Sequence, residues 1–348
     1  MPLEAAGAAD ARQPLIDFLL ATFRLGPGAP FVAPDLMRWK YDEPRPDWSG
    51  PRSFVWKDGD TIVAHGCLCP VTYSLPSGDV SGSYLIDWAA ARTSAGAGVA
   101  LLRSLGRKCD ALFAVGGSAE TQAILPKLGY RHLGNLSFYA RVLRPWRQYR
   151  TDPFPRGWKA PLRLARSVVW SRSAAPAAGP GWSAKPIQQF DASAQALFDR
   201  RAHSPFVCTR RTPELMNYFL RCPGAVWSAA LILHDNAARG WYVLARVGGQ
   251  ARIADIWVNT DSAADWASAY ALALSAAARD PEACELVASA SLAPAIEGVQ
   301  NAGFRFVHAE PIFVLDPKKY FDQAPPLNVT FLESDLAYLS NPAYPYLT

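Results

Sequence analysis

The hexapeptide Thr93-Ser94-Ala95-Gly96-Ala97-Gly98 runs directly into the apolar stretch Val99-Ala100-Leu101-Leu102. Small residues opening a helix leave several backbone N–H groups unobstructed. Together with the positive end of the helix dipole, these groups can hold a pyrophosphate. Two well-known phosphate turns are excluded. No Gly-Lys-Ser/Thr is present, so this is not the P-loop of nucleotide hydrolases. Leu101 stands where a dinucleotide-binding turn needs its third glycine, and no clear βαβ unit with an acidic residue after its second strand follows. Upstream, Asp87 lies in the apolar segment Ser83-Tyr-Leu-Ile-Asp-Trp-Ala-Ala90. Strand alternation puts Leu85, Asp87 and Ala89 on one face and Tyr84, Ile86 and Trp88 on the other. A carboxylate buried there has a raised pKa and is a candidate general base; its alternative role is structural, bonded to nearby backbone or arginine. His65, in an expected strand over 61–69, is a second candidate base, with a packed, hydrogen-bonded histidine as the plainer reading.

These residues need elements to position them. Periodicity and turn residues predict helices at 13–23 and 34–41 and strands at 53–56, 61–69, 71–75 and 83–90. A helix over 99–109, a strand over 111–115, a helix over 120–128 closed by Gly129, and a strand near 136–142 follow. The order strand, glycine turn, helix, strand, helix, Gly-aromatic, strand resembles motifs A and B of the GNAT (GCN5-related) N-acetyltransferase superfamily. Motif A is written Arg/Gln-x-x-Gly-x-Gly/Ala, and residues 93–98 match it except that Thr93 opens it. Leu128-Gly129-Tyr130-Arg131 resembles the "LGF" ending of motif B.

The resemblance implies an acyl-CoA cofactor, acetyl-CoA by default. Its pantetheine arm would lie against the backbone of Trp88, Ala89 and Ala90, where the first strand parts from the second. Its diphosphate would meet Ala95, Gly96, Ala97, Gly98 and Val99. Ser118 replaces the early Asn of motif B; it is a further cofactor candidate and is also placed to cap the next helix. Trp39 and Tyr41, beside Lys40, would line the amine acceptor. The family's tyrosine general acid falls on Leu125, leaving Tyr139 or Tyr130 as substitutes, or an unassisted thiolate. Catalysis would then rest with Asp87, His65 and Tyr139.

The second half repeats this order. A strand over 251–258, a helix over 261–279, a strand over 284–290, a helix over 292–301, Gly303-Phe304-Arg305 and a strand over 311–315 correspond in turn. A period this long indicates duplication, not a solenoid. The second turn, Thr260-Asp-Ser-Ala-Ala-Asp265, has no glycine and two carboxylates that repel a pyrophosphate. The expected fold class is therefore α/β (α+β): two GNAT-like mixed-sheet domains in tandem, the second degenerate. Residues 1–145 form the cofactor-binding domain, 146–182 a basic Pro/Ala-rich linker, 183–320 the degenerate copy and 321–348 an extension. The linker region is the most basic part of the chain, with Arg144, Arg147, Arg150, Arg156, Lys159, Arg163, Arg166 and Arg172; residues 162–170 have the pattern of a short basic amphipathic helix.

Composition bounds the function. In 348 residues the net charge is only +5, too mild for a nucleic-acid footprint. No secretory signal or membrane-spanning run occurs, and the six scattered cysteines contain no C-x-x-C, so a cytoplasmic protein without a metal site is expected. The reading is an N-acyltransferase, monomer or homodimer, acting on a small-molecule amine such as an amino sugar. The alternatives are an inactive GNAT-like binding or scaffold protein and a FemAB-like aminoacyltransferase.

Overall fold

A computed structural model describes residues 3–6, 12–94, 96–153, 160–172, 176–339, 341 and 344–348. The elements in chain order are β1 (Leu3–Ala5), α1 (Arg12–Phe23), α2 (Pro34–Met37), a π-helical turn (Arg38–Asp42), β2 (Ser53–Asp58), β3 (Thr61–Leu75), β4 (Gly78–Ala90), α3 (Ala97–Leu105), β5 (Ala111–Val115), α4 (Ala119–Ile124) and β6 (Arg131–Val142). Then come α5 (Pro145–Thr151), α6 (Ala160–Ser171), β7 (Trp182–Ile187), α7 (Gln195–Ala202), β8 (Val207–Cys208), α8 (Pro213–Leu220), β9 (Val226–His234), β10 (Ala237–Val247) and β11 (Gln250–Val258). Helices α9 (Ala263–Arg279) and α10 (Ala293–Asn301) and strands β12 (Glu285–Ala290), β13 (Arg305–Leu315) and β14 (Leu327–Asn328) complete the chain. The segment expected to link the halves thus contains two helices, and the amphipathic pattern at 162–170 lies inside α6.

Contacts gather the chain into two mixed α/β units that are not consecutive in sequence: Met1–Gly134 with Pro311–Ala324, and Asn135–Glu310 with Pro325–Thr348. In the first, the strands run β1-β2-β3-β4-β5 and are closed by the end of β13, whose Ile312–Leu315 pair with Val115–Leu112. All these pairings are antiparallel except β4 with β5. Strand β3 was expected to break at Pro70 but runs through it. Pairing with β2 ends at Cys67, so the missing proline N–H disturbs no bond on that side, and Pro70 still sits opposite Ser83 of β4. Leu101, Leu102 and Leu105 of α3 pack with Ala64, Leu68, Leu112, Leu125 and Tyr130 in the core, and Leu85, Trp88 and Ala90 of β4 lie against that cluster.

In the second unit the order is β7-β9-β10-β11-β12-β6. Strand β6 comes from the first half of the sequence, and its Ser137–Val142 pair antiparallel with Ala290–Glu285 of β12. Strands are therefore exchanged between the two halves of the sequence: the end of β13 completes the first unit and β6 the second. The C-terminal residues turn back onto β11, where the Arg252 guanidinium donates to the carbonyls of Leu336 and Leu339.

Candidate functional site

The end of β4 is where the sequence placed its chemistry. Parallel pairing with β5 covers Gly82–Ala111, Ser83–Leu112 and Tyr84–Phe113, and stops there among the described residues, although β4 continues to Ala90. Beyond Tyr84 no pairing of β4 with β5 is found among the described residues, while its other edge pairs with β3 at Ala89–His65 and Ala90–Ala64.

A β-bulge interrupts this stretch. The register with β3 passes from Cys67–Ile86 to His65–Ala89, so two residues of β4 oppose one of β3, and Asp87 has φ = +54°. This corrects the expected alternation. Leu85, Trp88 and Ala90 face the α3 core, whereas Asp87 is excluded from that face, because the extra residue reverses the pattern after it. Aspartate is among the few side chains that tolerate a left-handed backbone.

The carboxylate of Asp87 is not a free base. Its Oδ2 accepts a hydrogen bond from the Tyr41 hydroxyl at 2.7 Å and lies 2.6 Å from Lys40 Nζ, with both charged side chains 1% exposed. Lys40 Nζ also sits 4.2 Å from the centre of the Phe31 ring. The π-helical turn creates this cluster: its extra residue per turn brings Trp39, Lys40 and Tyr41 all into buried positions. Trp39 and Tyr41, expected to line an acceptor wall, are each only 4% exposed. Tyr41 supports the bulge through its bond to Asp87, and the carbonyl of Trp39 accepts from the Arg52 guanidinium at 3.0 Å.

His65 is fully buried. Its Nδ1 is 3.0 Å from the carbonyl oxygen of Asp87, which can only accept, so Nδ1 carries the proton. Nε2 then accepts from the Ser53 hydroxyl at 2.9 Å. Burial drives its pKa down to about 4, against the opposing pull of Asp87. A neutral imidazole bonded on both sides clamps the bulge and has no vacant nitrogen for a substrate proton. Tyr139 stands in β6 opposite Ala288, within the second unit, whereas Asp87 and His65 belong to the first. Burial raises the Tyr139 pKa, and hydrogen bonds to Ser137 and Gln300 oppose the rise. The structure thus brings Asp87, His65, Lys40, Tyr41 and Ser53 into one network that leaves out Tyr139. The sequence reading missed Ser53 as a partner, as well as the ion pair of Lys40 with Asp87. Their only sequence signal was Lys40 between the aromatic residues Trp39 and Tyr41.

The turn after β4 supplies the second half of the site. Gly96 is the N-cap of α3, with φ = +84°, and no side chain caps the helix. A Cβ added at Gly96 would meet nothing within 4 Å, so this glycine serves backbone conformation and open space. Gly98 has another reason: its Cβ would lie 2.8 Å from that of Ala90, so glycine lets α3 approach β4. The Trp88 indole donates to Gly98 O at 3.2 Å and fixes the turn. Two expected contacts need revision. The Ala97 amide donates to Ser94 O at 3.2 Å, so the turn consumes this donor. Ser118 caps α4, its Oγ accepting from Thr121 N at 3.2 Å. Ala95 lies outside the described residues. In helix geometry the second and third amides, those of Gly98 and Val99, are the donors left for an anion.

The second unit has the same frame with its turn closed. Strand β11 pairs in parallel with β12 at only three positions, Gln250–Glu285 to Arg252–Val287. It too is irregular, at Val243/Leu244 of its β10 pairing. Asp255 corresponds to Asp87 and is wholly buried. Burial alone would raise its pKa, but the Arg211 guanidinium holds it below the usual value. It also accepts from the Trp241 indole at 3.0 Å and from Thr330 Oγ1 at 3.0 Å, bonds that fit a structural role. At the start of α9, Ser262 Oγ accepts from Asp265 N, and Thr260 Oγ1 donates to the Asp265 carboxylate at 2.9 Å. The buried Trp266 occupies the first turn, with its indole bonded to Thr260 O at 3.2 Å. Side chains therefore fill the second turn that the first leaves open.

Solved structures with this fold are known. The chain is similar to a GCN5-related N-acetyltransferase from Anabaena variabilis, with a TM-score of 0.59 and 10% identity over 90% of this chain and 73% of that one. It is similar to a probable N-acyltransferase from Enterococcus faecalis, with a TM-score of 0.57 and 12% identity over 92% and 73% of the two chains. It is also similar to Saccharomyces cerevisiae N-myristoyltransferase, solved with bound myristoyl-CoA and inhibitors, with a TM-score of 0.60 and 11% identity over 90% and 80%. The fold is that of the GCN5-related N-acetyltransferases. No family model matches the chain, and no curated protein does.

Proposed function

We propose that this protein is an acyl-CoA-dependent N-acyltransferase whose first unit binds the coenzyme and whose second unit has lost that capacity. One observation carries the proposal: the uncapped, glycine-opened N-terminus of α3 stands at the end of a strand that has parted from its parallel neighbour, while the equivalent helix α9 is capped by Ser262. The amides of Gly98 and Val99 would hold the diphosphate, and the edge of β4 after Tyr84 would run beside the pantetheine arm. The acceptor would be a small-molecule amine, an amino sugar being one example, with acetyl as the default acyl group. A cytoplasmic setting agrees with six cysteines that are all free.

In the proposed reaction the amine nitrogen attacks the thioester carbonyl, the C–S bond breaks, and the proton lost by nitrogen ends on the thiolate. A thioester is already activated, so holding the two reactants in line supplies much of the rate. Asp87, bonded to Lys40 and Tyr41, holds the β4 bulge in shape; it does not serve as the proton acceptor. A binding-only reading is favoured by Leu125, a fully buried core residue where the family places its acid. Thiol release from acetyl-CoA, measured against a panel of amines including amino sugars, separates the two. Amine-dependent release supports transfer. Tight coenzyme binding with no release above hydrolysis for any amine supports the binding-only reading.

A further inference from the structure

Two short helices of the second unit, α5 and α6, carry a surface that acyl transfer does not explain. Seven large apolar side chains are exposed among the described residues, and three of them lie here: Trp146 at 62%, Leu162 at 61% and Val169 at 64%. Such side chains on two helices that contact each other call for a covering partner. On α6, Leu162, Ala165 and Val169 follow one another at helical spacing and are all exposed, so they share one outward stripe. On α5, Trp146 and Arg150 are four residues apart, and both are exposed.

The inner sides of these helices are already satisfied. The Arg144 guanidinium, at the start of α5, donates to the carbonyls of Ala283 and Ala278, and Arg147 pairs with Glu282. Ser167 of α6 is buried, and the guanidinium carbons of Arg166 and Arg305 lie 4.5 and 4.8 Å from the centre of the Trp170 ring. What faces outward is Trp146, Leu162 and Val169, with Arg150 and Arg172 exposed at the ends of the two helices. Neither helix contains an acidic residue.

A protein groove would match the apolar groups, and a soluble polyanion would match the charge. A surface that offers both, anions above and hydrocarbon below, is an anionic bilayer. A short helix of low overall hydrophobicity, basic on its flanks and carrying Leu and Val on one stripe, lies in such an interface. Trp at its edge favours the headgroup level, and arginine can keep its charge among phosphates while its stem lies on apolar surface. No helix among the described residues is long and apolar enough to cross a membrane, so attachment of this kind is peripheral. We propose that the α5–α6 segment docks the protein onto an anionic phospholipid surface.

Co-sedimentation of the full chain with vesicles tests this. Phosphatidylcholine vesicles are compared with vesicles doped with phosphatidylglycerol, at low and raised salt. Binding to the doped vesicles, weakened by salt, is expected. Replacing Arg150 and Arg172 by Glu should lower partitioning by at least about 25-fold, since each basic residue near an anionic surface contributes about fivefold. The variant Trp146→Ser, Leu162→Ser and Val169→Ser keeps every charge and should also lose several-fold. All these side chains are exposed, and a thermal melt confirms that the variants remain folded. The proposal is overturned by no binding to doped vesicles, or by equal binding to both vesicle types. It is also overturned if the apolar variant binds like the parent, since the surface would then be reading charge alone, as for a soluble polyanion.

Discussion

At the residue scale, the feature with most consequence is Asp87, a carboxylate with φ = +54° buried against Lys40 and Tyr41. Asp87→Asn and Asp87→Val both leave Lys40 without its anion, and breaking a buried pair costs about 3–5 kcal/mol. They differ in backbone: asparagine accepts the left-handed conformation and valine does not. Chemical denaturation should therefore find Asp87→Val less stable than Asp87→Asn by a further ~1–2 kcal/mol. Equal losses would show that the bulge carries no strain. His65 supplies a pH signature. Its folded pKa of about 4 lies below the unfolded value of 6.5, so the unfolded chain binds the proton first as pH falls. Stability contributed by neutral His65 is complete above pH 6.5 and is lost between 6.5 and 4, by about 3 kcal/mol in all. Glu285 in the second unit has the opposite sign, because burial raises its pKa to about 8. The measurement is therefore the difference between wild type and His65→Gln at pH 7 and pH 4.5, in which Glu285 cancels. A pH-independent difference would contradict the neutral, buried imidazole. Asp87 and His65 were legible as chemically unusual residues. Their bonding was not, because a bulge has no period and reverses a pattern that strict alternation extrapolates.

At the scale of elements, the two glycines of the α3 turn have different duties and should respond differently. Gly98→Ala forces a Cβ to 2.8 Å from Ala90 and must displace α3 or β4. Gly96→Ala meets nothing and should cost only the left-handed penalty of roughly 1–2 kcal/mol. A thermal melt should place Gly98→Ala below Gly96→Ala, and the reverse order would contradict the packing. In the second unit, Ser262→Ala should cost about 1 kcal/mol of stability and, under the proposed function, leave coenzyme affinity unchanged, because the coenzyme is assigned to the first unit. The sequence showed this contrast clearly: Gly96 and Gly98 against Ser262 and Asp265 are composition differences that act through local backbone chemistry. It did not show that the Ala97 amide is already engaged, since turn hydrogen bonds depend on dihedral angles that glycine leaves open.

At the scale of the whole molecule, the exchange of β6 and β13 is the main departure from a simple succession of domains. Local periodicity located both strands, at 136–142 and 311–315. It could not assign their neighbours, because pairing in a sheet is a long-range choice among edges of similar composition. The exchange has a direct consequence. A fragment of residues 1–145 lacks Ile312–Leu315 along β5 and leaves Ser137–Val142 without β12. Expressed alone, it should show weak amide protection in β5 and a strong tendency to associate through the exposed edge. Native-like protection throughout β5 in that fragment would mean that the first unit is complete without β13.

The account rests on the amides at the start of α3 as the seat of a coenzyme diphosphate. Calorimetric titration of acetyl-CoA into wild type and Val99→Glu tests it most directly. Glutamate suits the first turn of a helix, so the fold should persist while a negative charge stands where the diphosphate must lie. The account predicts binding to the parent and an affinity at least tenfold weaker in the variant, equivalent to about 1.4 kcal/mol. No heat from the parent, or equal affinity in the two proteins, would contradict it.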